Sequence, residues 1–302
     1  MTKSLINAAH LTTKRIHFKE PLKPEDIGFS SNIFMVFGLP AQRLKGNPFV
    51  WEKKNSLYAL SLTKHKDHEI PSGCYARMNQ IFIDTEVKTK NTNVIEVGRS
   101  FYEYAKKLGY THGRAEHDLV KQLVNYVTCR IDLTVVDEQL ARRTEVSALV
   151  SSGRDFFFDV KNPDQLTMSS GRIVLSEDYA KYIHEHAAPL DLEVVRAFKR
   201  NPLALDFYRF LAYRVNKLNK VIEFPDRLLF EQLGTEQGKD FVTRARLRSI
   251  LRQIQGFWPG LRAKFEDGQF ILEPSDPAIK GKLARRNPLS ITHTSLDQVL
   301  PN

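Results

Sequence analysis

The sequence predicts an α+β fold in which one order of elements occurs twice. Hydrophobic spacing and turn residues give the order helix, strand, helix, helix, hairpin in residues 70–178 and again in residues 179–274. That order is typical of a winged helix-turn-helix domain, so two such domains are predicted in tandem. Residues 1–69 are predicted to form an N-terminal extension with short strands and a flexible lead-in over residues 1–30. Residues 275–302 are predicted to form a flexible basic tail.

The first predicted domain combines three helices with a small sheet. Ser100 and Glu103 have the spacing of a capping box, which predicts where the second helix begins, and Gly109 is suited to end it. The predicted elements are helices at 74–90, 100–109 and 113–129 and strands at 94–97, 131–136, 154–160 and 173–175. Two strands, at 49–51 and 57–62, are predicted in the extension that precedes this domain.

The second predicted domain has clearer boundaries. Pro202 stands where a first helical residue is often proline, and Glu266-Asp267-Gly268 predicts the turn of a hairpin. The predicted helices are 176–183, 191–200, 202–217, 226–233 and 239–256, and the predicted strands are 221–224, 261–265 and 269–272. The hairpin of residues 261–272 is the predicted wing.

The basic charge of the chain is unevenly distributed along the sequence. The protein has 45 Lys and Arg residues against 35 Asp and Glu residues, a formal net charge of +10. Residues 70–178 have a net charge of −1, whereas residues 239–264 alone have +6. This segment predicts contacts with a polyanion, and arginine suits both phosphate and guanine. Its candidate DNA-binding residues are Lys239, Arg244, Arg246, Arg248, Arg252, Arg262 and Lys264.

Helical geometry predicts which of these side chains face outward. At 100° per residue, Thr243, Leu247, Ile250, Leu251 and Ile254 form one apolar stripe. Arginines at 246, 248 and 252 lie off that stripe, beside the small residues at 245 and 249, while the arginine at 244 lies at its border. Small side chains flanked by long cations suit a helix in the major groove of DNA.

A second, weaker DNA-binding face is predicted on the helix at 113–129. Arg114, His117, Lys121 and Asn125 lie on one side of this helix, and their side chains are of types that contact bases. The alternative is an ordinary solvated helix face, which the nearby Glu116 favours.

Other classes of protein are disfavoured by composition. The two cysteines, Cys74 and Cys129, are too few for a disulfide scaffold and suit a reducing compartment. The first residues lack the apolar segment of a signal peptide, and no apolar run approaches the ~20 residues that span a bilayer. A cytoplasmic protein without a membrane partner is therefore expected.

No catalytic centre is predicted, and the protein is expected not to be an enzyme. A phosphate-binding loop of the type Gly-x-x-x-x-Gly-Lys-Ser/Thr is absent from the sequence. His184-Glu185-His186 continues the predicted helix that begins at residue 176, and residues two apart on a helix diverge, so it does not predict a metal site. His65 and His68 lie in a charged connector. No cofactor, metal ligand or catalytic residue is assigned.

Several segments resemble the plasmid-encoded RepA replication initiators, the group that includes IncW-type initiators. The resemblance covers roughly residues 30–275, and it departs from the family pattern at Ile70 and Ser72 and in the aromatic strand. The segments that carry it are Arg200–Tyr208, Leu211–Arg214, Pro189–Leu192, Ile70–Gly73 with Arg77, Gly98–Ser100 with Gly109, and Phe157–Asp159.

This resemblance implies a protein that binds iteron repeats in the double-stranded DNA of a plasmid origin. It also implies recruitment of the host replication initiator and helicase, plasmid copy control, repression of its own promoter, and a homodimer whose role differs from that of the monomer. The near-neutral first domain is a candidate surface for that dimer or for contact with host proteins. Three alternatives remain open: a winged-helix transcriptional regulator, a metal-dependent initiator that nicks the origin, and a protein–protein adaptor.

Overall fold

The computed structural model describes residues 22–54, 58–110, 116–137, 142–155, 166, 171–235 and 238–279. This part of the chain has a mixed α+β fold. Its α-helices are α1 (Asn32–Val36), α2 (Gly73–Lys90), α3 (Phe101–Lys107), α4 (Glu116–Val127), α5 (Glu177–His186), α6 (Leu192–Ala197), α7 (Pro202–Val215), α8 (Asp226–Gln232) and α9 (Asp240–Phe257). Its strands are β1 (Ile27–Ser31), β2 (Val50–Lys54), β3 (Tyr58–Thr63), β4 (Val94–Gly98), β5 (Arg130–Asp137), β6 (Arg142–Leu149), β7 (Ser151–Asp155), β8 (Gly171–Leu175), β9 (Ala187–Asp191), β10 (Ile222–Pro225), β11 (Ala263–Glu266) and β12 (Gln269–Leu272).

The chain divides into two compact units. The first unit contains Phe29–Ile33 and Leu39–Ala187, and the second contains the described residues up to Gly28, Phe34–Gly38 and those from Ala188 onward. The boundary between the units therefore lies after α5, whereas the predicted boundary between residues 70–178 and 179–274 falls within the first turn of that helix. Helix α5 belongs to the first unit because it packs against α2 and because the Tyr179 hydroxyl is hydrogen-bonded to that of Tyr126.

The first unit contains the predicted helices and a three-stranded antiparallel sheet. Helices α2, α3 and α4 lie where hydrophobic spacing predicted them. The Ser100 hydroxyl accepts a hydrogen bond from the Glu103 backbone N–H at 3.1 Å, so the predicted cap is confirmed. After α3, Gly109 has a φ of +79°, a conformation that favours glycine at a helix end. The sheet has the strand order β4-β8-β7.

The first unit also contains a four-stranded antiparallel sheet. Its order is β2-β3-β5-β6, and its strands β5 and β6 come between α4 and β7 in the chain. Strand β6 is not predicted by the sequence because its residues are largely charged or polar, and its pairing along β5 stabilises it. The predicted strand at 154–160 is β7, which begins earlier, at Ser151. Residues 156–160 lie outside the described residues.

The second unit follows the predicted order closely. Helix α7, β10, helices α8 and α9, and the hairpin of β11 and β12 come in sequence, and the antiparallel sheet has the order β10-β12-β11. The turn of the hairpin has φ values of 44° at Asp267 and 78° at Gly268. Two successive positive φ values are those of a type I′ turn, which joins two strands tightly. The predicted hairpin is therefore confirmed.

Aromatic packing fixes the hairpin to α7. The Phe270 ring lies 5.8 Å from the Phe207 ring and 4.9 Å from the Phe265 ring, measured between centroids, and all three side chains are buried. Buried aromatic side chains contribute large apolar areas, so this cluster stabilises the hairpin against the helix. The position of β11 relative to the helices is thereby set by the core.

The two units share one order of elements. In the first unit the order is α2, β4, α3, α4, β7, β8, with β5 and β6 inserted, and in the second it is α7, β10, α8, α9, β11, β12. Both three-stranded sheets place the last strand between the other two. The order of elements that the sequence predicts twice is therefore found twice.

Residues are packed at both ends of the fold where the sequence predicts flexible extensions. Strand β1 is buried, and the Phe29 backbone N–H donates to the Thr85 hydroxyl at 2.9 Å, so the predicted flexible lead-in is wrong for residues 27–30. At the other end, the Trp258 indole N–H donates to the Asp276 carbonyl at 2.9 Å and Ile279 is buried. Residues 1–21 and 280–302 lie outside the described residues. Across the described ranges, no helix has the length and apolarity needed to cross a bilayer.

Candidate nucleic-acid interface

Helix α9 is held in the second unit by one apolar side. Thr243, Leu247, Ile250, Leu251 and Ile254 are buried, together with Phe257 at the helix end. This is the stripe that the 100° spacing predicted, and its burial fixes the rotation of the helix about its axis. The opposite side of α9 must therefore face outward.

The outward side of α9 combines cations with small residues. Arg246, Arg248 and Arg252 are exposed, as are Ala245 and Ser249 between them. Among the described residues, neither Arg246 nor Arg252 has an ion pair or hydrogen bond through its side chain. Their positive charges are thus available to a ligand, and the small side chains leave room for its close approach.

Arg248 also connects α9 to the hairpin. One of its terminal guanidinium nitrogens donates to the main-chain carbonyl of Phe265, in β11, at 2.9 Å. The contact uses one of the five N–H donors that a guanidinium carries. Arg248 therefore has a structural role in addition to its place on the basic side of the helix.

Arg244 has a structural partner as well. Its Nε donates to the carboxylate of Asp226, the first residue of α8, which is buried. This hydrogen bond, followed by the charges of Asp226 and Asp240, raises the pKa of Arg244. The Asp226 backbone N–H in turn donates to the Gly268 carbonyl at 2.9 Å. Arg244 thus joins α9 to α8, and its charge is balanced within the fold.

The remaining predicted cations of this segment lie at the helix start and on the hairpin. Lys239 immediately precedes α9 and is exposed, and Arg262 is exposed just before β11. Lys264 is also exposed and forms an ion pair with Glu266 two residues later, an interaction that raises the pKa of Lys264. Exposed pairs of this kind contribute little to stability, so Lys264 remains able to exchange Glu266 for another anion.

Two apolar residues of α9 were missed by the sequence analysis. Phe241 is 66% exposed and Val242 is 51% exposed, both in the first turn of the helix. Helical spacing could have identified them, because it places both positions on the side of α9 opposite the buried stripe. The outward side of α9 therefore carries an aromatic and a branched aliphatic side chain next to its arginines.

The candidate DNA-binding residues of α4 differ in their burial and in their partners. Asn125 is buried, and its side-chain oxygen accepts the Glu69 backbone N–H at 3.2 Å, so its predicted contact with bases is wrong. Lys121 forms an ion pair with Glu69 at 3.0 Å, and the Gln122 side chain accepts the Ser72 backbone N–H at 2.9 Å. The polar side of this helix therefore holds the segment before α2. Arg114 and the side chain of His117 lie outside what the structure describes.

No grouping of three or more His, Cys, Asp or Glu side chains that could hold a metal ion occurs within the described ranges.

Comparison with known proteins identifies the family. A family model described as plasmid encoded RepA protein matches residues 70–224, slightly more than half of the chain. The chain belongs to this RepA family. The match supports the role of a plasmid replication initiator, and it runs from the residues before α2 into β10. Helices α8 and α9 and the hairpin of this RepA chain lie beyond the matched region.

A solved structure shares the fold. A crystal structure of selenomethionine derivatives of domains 2 and 3 of RctB aligns with a TM-score of 0.52 at 11% sequence identity, covering 80% of this RepA chain and 96% of that chain. No curated protein matches the sequence.

Several described residues that carry the RepA resemblance are part of the scaffold. The buried Arg77 side chain donates to the backbone carbonyls of Leu39, Pro40 and Gly73, and Gly73 itself has a φ of +73°. In the second unit, the buried hydroxyl of Tyr208 accepts the backbone N–H of Asp191 at 3.0 Å. These residues maintain the fold, so the surface that binds a ligand must be found from exposure and charge.

Proposed function

We propose that this protein initiates plasmid replication by binding iteron repeats in the double-stranded DNA of its origin. The second unit is a winged helix-turn-helix domain in this proposal, with α9 in the major groove and the hairpin of β11 and β12 as the wing. The observation that carries the proposal is the exposed basic side of α9, where Arg246 and Arg252 have no partner among the described residues.

The geometry of α9 suits a major groove. That groove is about 12 Å wide and admits one α-helix. Ala245 and Ser249 form the centre of the outward side, so the helix axis approaches the base edges, and Arg246 and Arg252 extend beside it toward bases or phosphates. Arg262 and Lys239, at the hairpin and the helix start, are placed for phosphate contacts.

The remaining parts of the proposal follow from the RepA resemblance. The bound protein, an IncW-type initiator, recruits the host replication initiator and helicase, represses its own promoter and sets plasmid copy number. The first unit supplies a dimer contact. The protein works in the cytoplasm without a cofactor and without cleaving DNA.

Footprinting of the DNA that flanks the gene tests the binding step. We expect protected direct repeats, and affinity for one repeat that falls steeply as salt rises, because each phosphate contact releases counterions. Replacing both Arg246 and Arg252 with alanine is expected to lower affinity by about 1–3 kcal/mol for each arginine that hydrogen-bonds a base. Arg200→Ala, an exposed arginine elsewhere in the second unit, is the matched control and is expected to bind normally.

Replication in cells separates an initiator from a regulator. A plasmid that carries only the flanking origin DNA should replicate when the protein is supplied from a second plasmid, and should fail with the Arg246 and Arg252 double variant. Supercoiled origin DNA incubated with the protein and Mg²⁺ should remain supercoiled. Repeat binding without plasmid maintenance would indicate a transcriptional regulator, and relaxed DNA would indicate a nicking initiator.

A further inference from the structure

The first turn of α9 exposes two apolar side chains to solvent. Phe241 and Val242 are 66% and 51% exposed, although Phe257 at the other end of the same helix is buried. They lie one helical turn before Ala245 and so continue the outward side of the helix. Packing in the hydrophobic core does not explain why these two residues are apolar, because both side chains point away from the buried stripe that holds α9 in the second unit.

The charges around this apolar pair are positive. Arg246 follows Val242 by four residues on the same side of the helix, and Lys239 precedes Phe241. The one acidic residue of the first turn, Asp240, lies about 100° from Phe241 around the helix, on the side of Arg244, and it helps to raise the pKa of Arg244. The surface therefore presents apolar groups to a ligand within a positive field.

Double-stranded DNA offers a matching pattern. Its phosphates are negative, and the C5-methyl group of thymine is the apolar group that its major groove presents to a protein. Apolar side chains are known partners of that methyl group, which distinguishes thymine from cytosine without a hydrogen bond. A membrane surface would require a much larger apolar face than two residues of one turn.

We infer that Phe241 and Val242 determine part of the sequence specificity by contacting thymine methyl groups in the repeat. This inference rests on the proposed binding of α9 in the major groove. It assigns the arginines to affinity and hydrogen bonding, and it assigns the apolar pair to selection of thymine at the positions that the first turn of α9 contacts.

A methyl-deletion scan of the DNA tests this assignment. The full chain is titrated against a synthetic duplex of one footprinted repeat in which each thymine in turn is replaced by deoxyuridine, which lacks only the methyl group. At one or two positions we expect affinity to fall about fourfold, the effect of removing one buried methyl group from an apolar contact. At the other positions affinity should be unchanged.

Protein variants then locate the contact. Phe241→Ala and Val242→Ala should weaken binding to the thymine duplex and remove the difference between thymine and deoxyuridine at those positions. Leu228→Ala is the matched control, because Leu228 is an exposed apolar residue of α8, and it should keep the full difference. All three side chains are exposed, so the variants should unfold at the same denaturant concentration as the natural protein.

Four results would overturn the inference. Specific binding that is insensitive to deoxyuridine, or an undiminished methyl effect in both α9 variants, would show that these side chains do not contact thymine. Loss of self-association by Phe241→Ala in sedimentation without DNA would show that the pair binds a second copy instead. Absence of any protected repeat would reject the proposed function itself, and this inference with it.

Discussion

The Arg248 guanidinium donates to the Phe265 carbonyl at 2.9 Å and so connects the basic helix α9 to the first strand of the hairpin. In the proposed winged helix-turn-helix domain, these are the two elements that would contact DNA. Because a guanidinium has further donors, the same side chain remains able to contact a base or a phosphate. Arg248 therefore couples the position of the hairpin to the surface of the helix.

Replacing Arg248 with alanine should affect both stability and binding. We expect the free energy of unfolding to fall by about 0.5–1.5 kcal/mol, the typical value of one hydrogen bond. Affinity for the footprinted repeat should fall by about 1–3 kcal/mol if the side chain also contacts a base. Urea unfolding and gel-shift titration measure the two effects. Lower stability with unchanged affinity would limit Arg248 to its structural contact.

Replacing Asp226 with alanine should destabilise the second unit. The change removes the buried carboxylate that pairs with Arg244, and a hydrogen bond to a charged group contributes about 1.5–3 kcal/mol. Urea unfolding measures the loss. Glu231→Ala is the control in the same helix, because its pair with Arg227 is exposed and should contribute little. Equal losses in the two variants would contradict the role of Asp226.

Replacing Gly38 with alanine should also destabilise the second unit. A Cβ at this position would lie 2.1 Å from a carboxylate oxygen of Asp206, whose other oxygen is 3.5 Å from the buried Arg209 guanidinium. Movement of Asp206 would disturb that ion pair, so we expect a loss of about 1–3 kcal/mol, as for other overpacked sites.

The control for Gly38→Ala is Gly260→Ala in the same unit. The nearest atom to a Cβ at Gly260 is the Asp276 Cβ, 3.8 Å away, which is an ordinary contact. Thermal unfolding should show a lower midpoint for Gly38→Ala and little change for Gly260→Ala. A normal midpoint for Gly38→Ala would mean that the Asp206 side chain moves without cost.

Replacing Asn125 with alanine should lower stability without changing the electrostatics of DNA binding. The buried Asn125 side chain satisfies the backbone N–H of the half-buried Glu69, so we expect a loss of about 1 kcal/mol, the low end of the cost of an unsatisfied buried donor. The slope of log affinity against log salt should stay the same, since no phosphate contact is removed. A reduced slope would return Asn125 to the DNA-binding surface.

Stability should fall in alkaline solution partly through Cys129. Burial raises the pKa of its thiol to about 12 from an ordinary value of 9.0. Above pH 9 the unfolded chain releases this proton while the native chain keeps it, so native stability decreases until about pH 12. The expected loss from this thiol is roughly 1.4 kcal/mol at pH 10.

A comparison with Cys129→Ala isolates that contribution. Urea unfolding at about pH 8 and about pH 10, on either side of the ordinary thiol pKa, should show a smaller decrease for Cys129→Ala than for the natural protein. Burial also raises the pKa values of Tyr104, Tyr126, Tyr179 and Tyr208 in both chains, and the charge of Cys129 is only the smallest of the causes at Tyr126. Parallel pH profiles would show that the Cys129 thiol is accessible to water.

Much of the fold follows from relations between residues close in sequence. The Ser100 cap, the Asp267-Gly268 turn and the buried stripe of α9 depend on residues one to four positions apart, and each is found where it was predicted. Strand β6 depends on pairing with β5, and β5 also pairs with β3, which comes some 70 residues earlier. Local patterns of hydrophobicity carry no information about such pairing.

The candidate surface was predictable in part, because helical spacing is also a relation between residues close in sequence. The side of α9 that faces outward follows from helical spacing, so the exposure of Arg246 and Arg252 was predicted from the sequence. The burial of Asn125 was not, because it requires the chain around Glu69 to lie against α4, more than fifty residues later. The role of a polar side chain therefore depends on which distant segments pack beside it.

The sequence by itself determined the repeated order of elements, the family of the chain and the helix that concentrates its positive charge. Only the tertiary structure decided that Arg244 balances Asp226, that Arg248 binds the Phe265 carbonyl, and that Arg246 and Arg252 remain without partners among the described residues. The physical reason is that charge and helical spacing are properties of a segment. The hydrogen-bond partners of a side chain depend on distant segments that the folded core brings beside it.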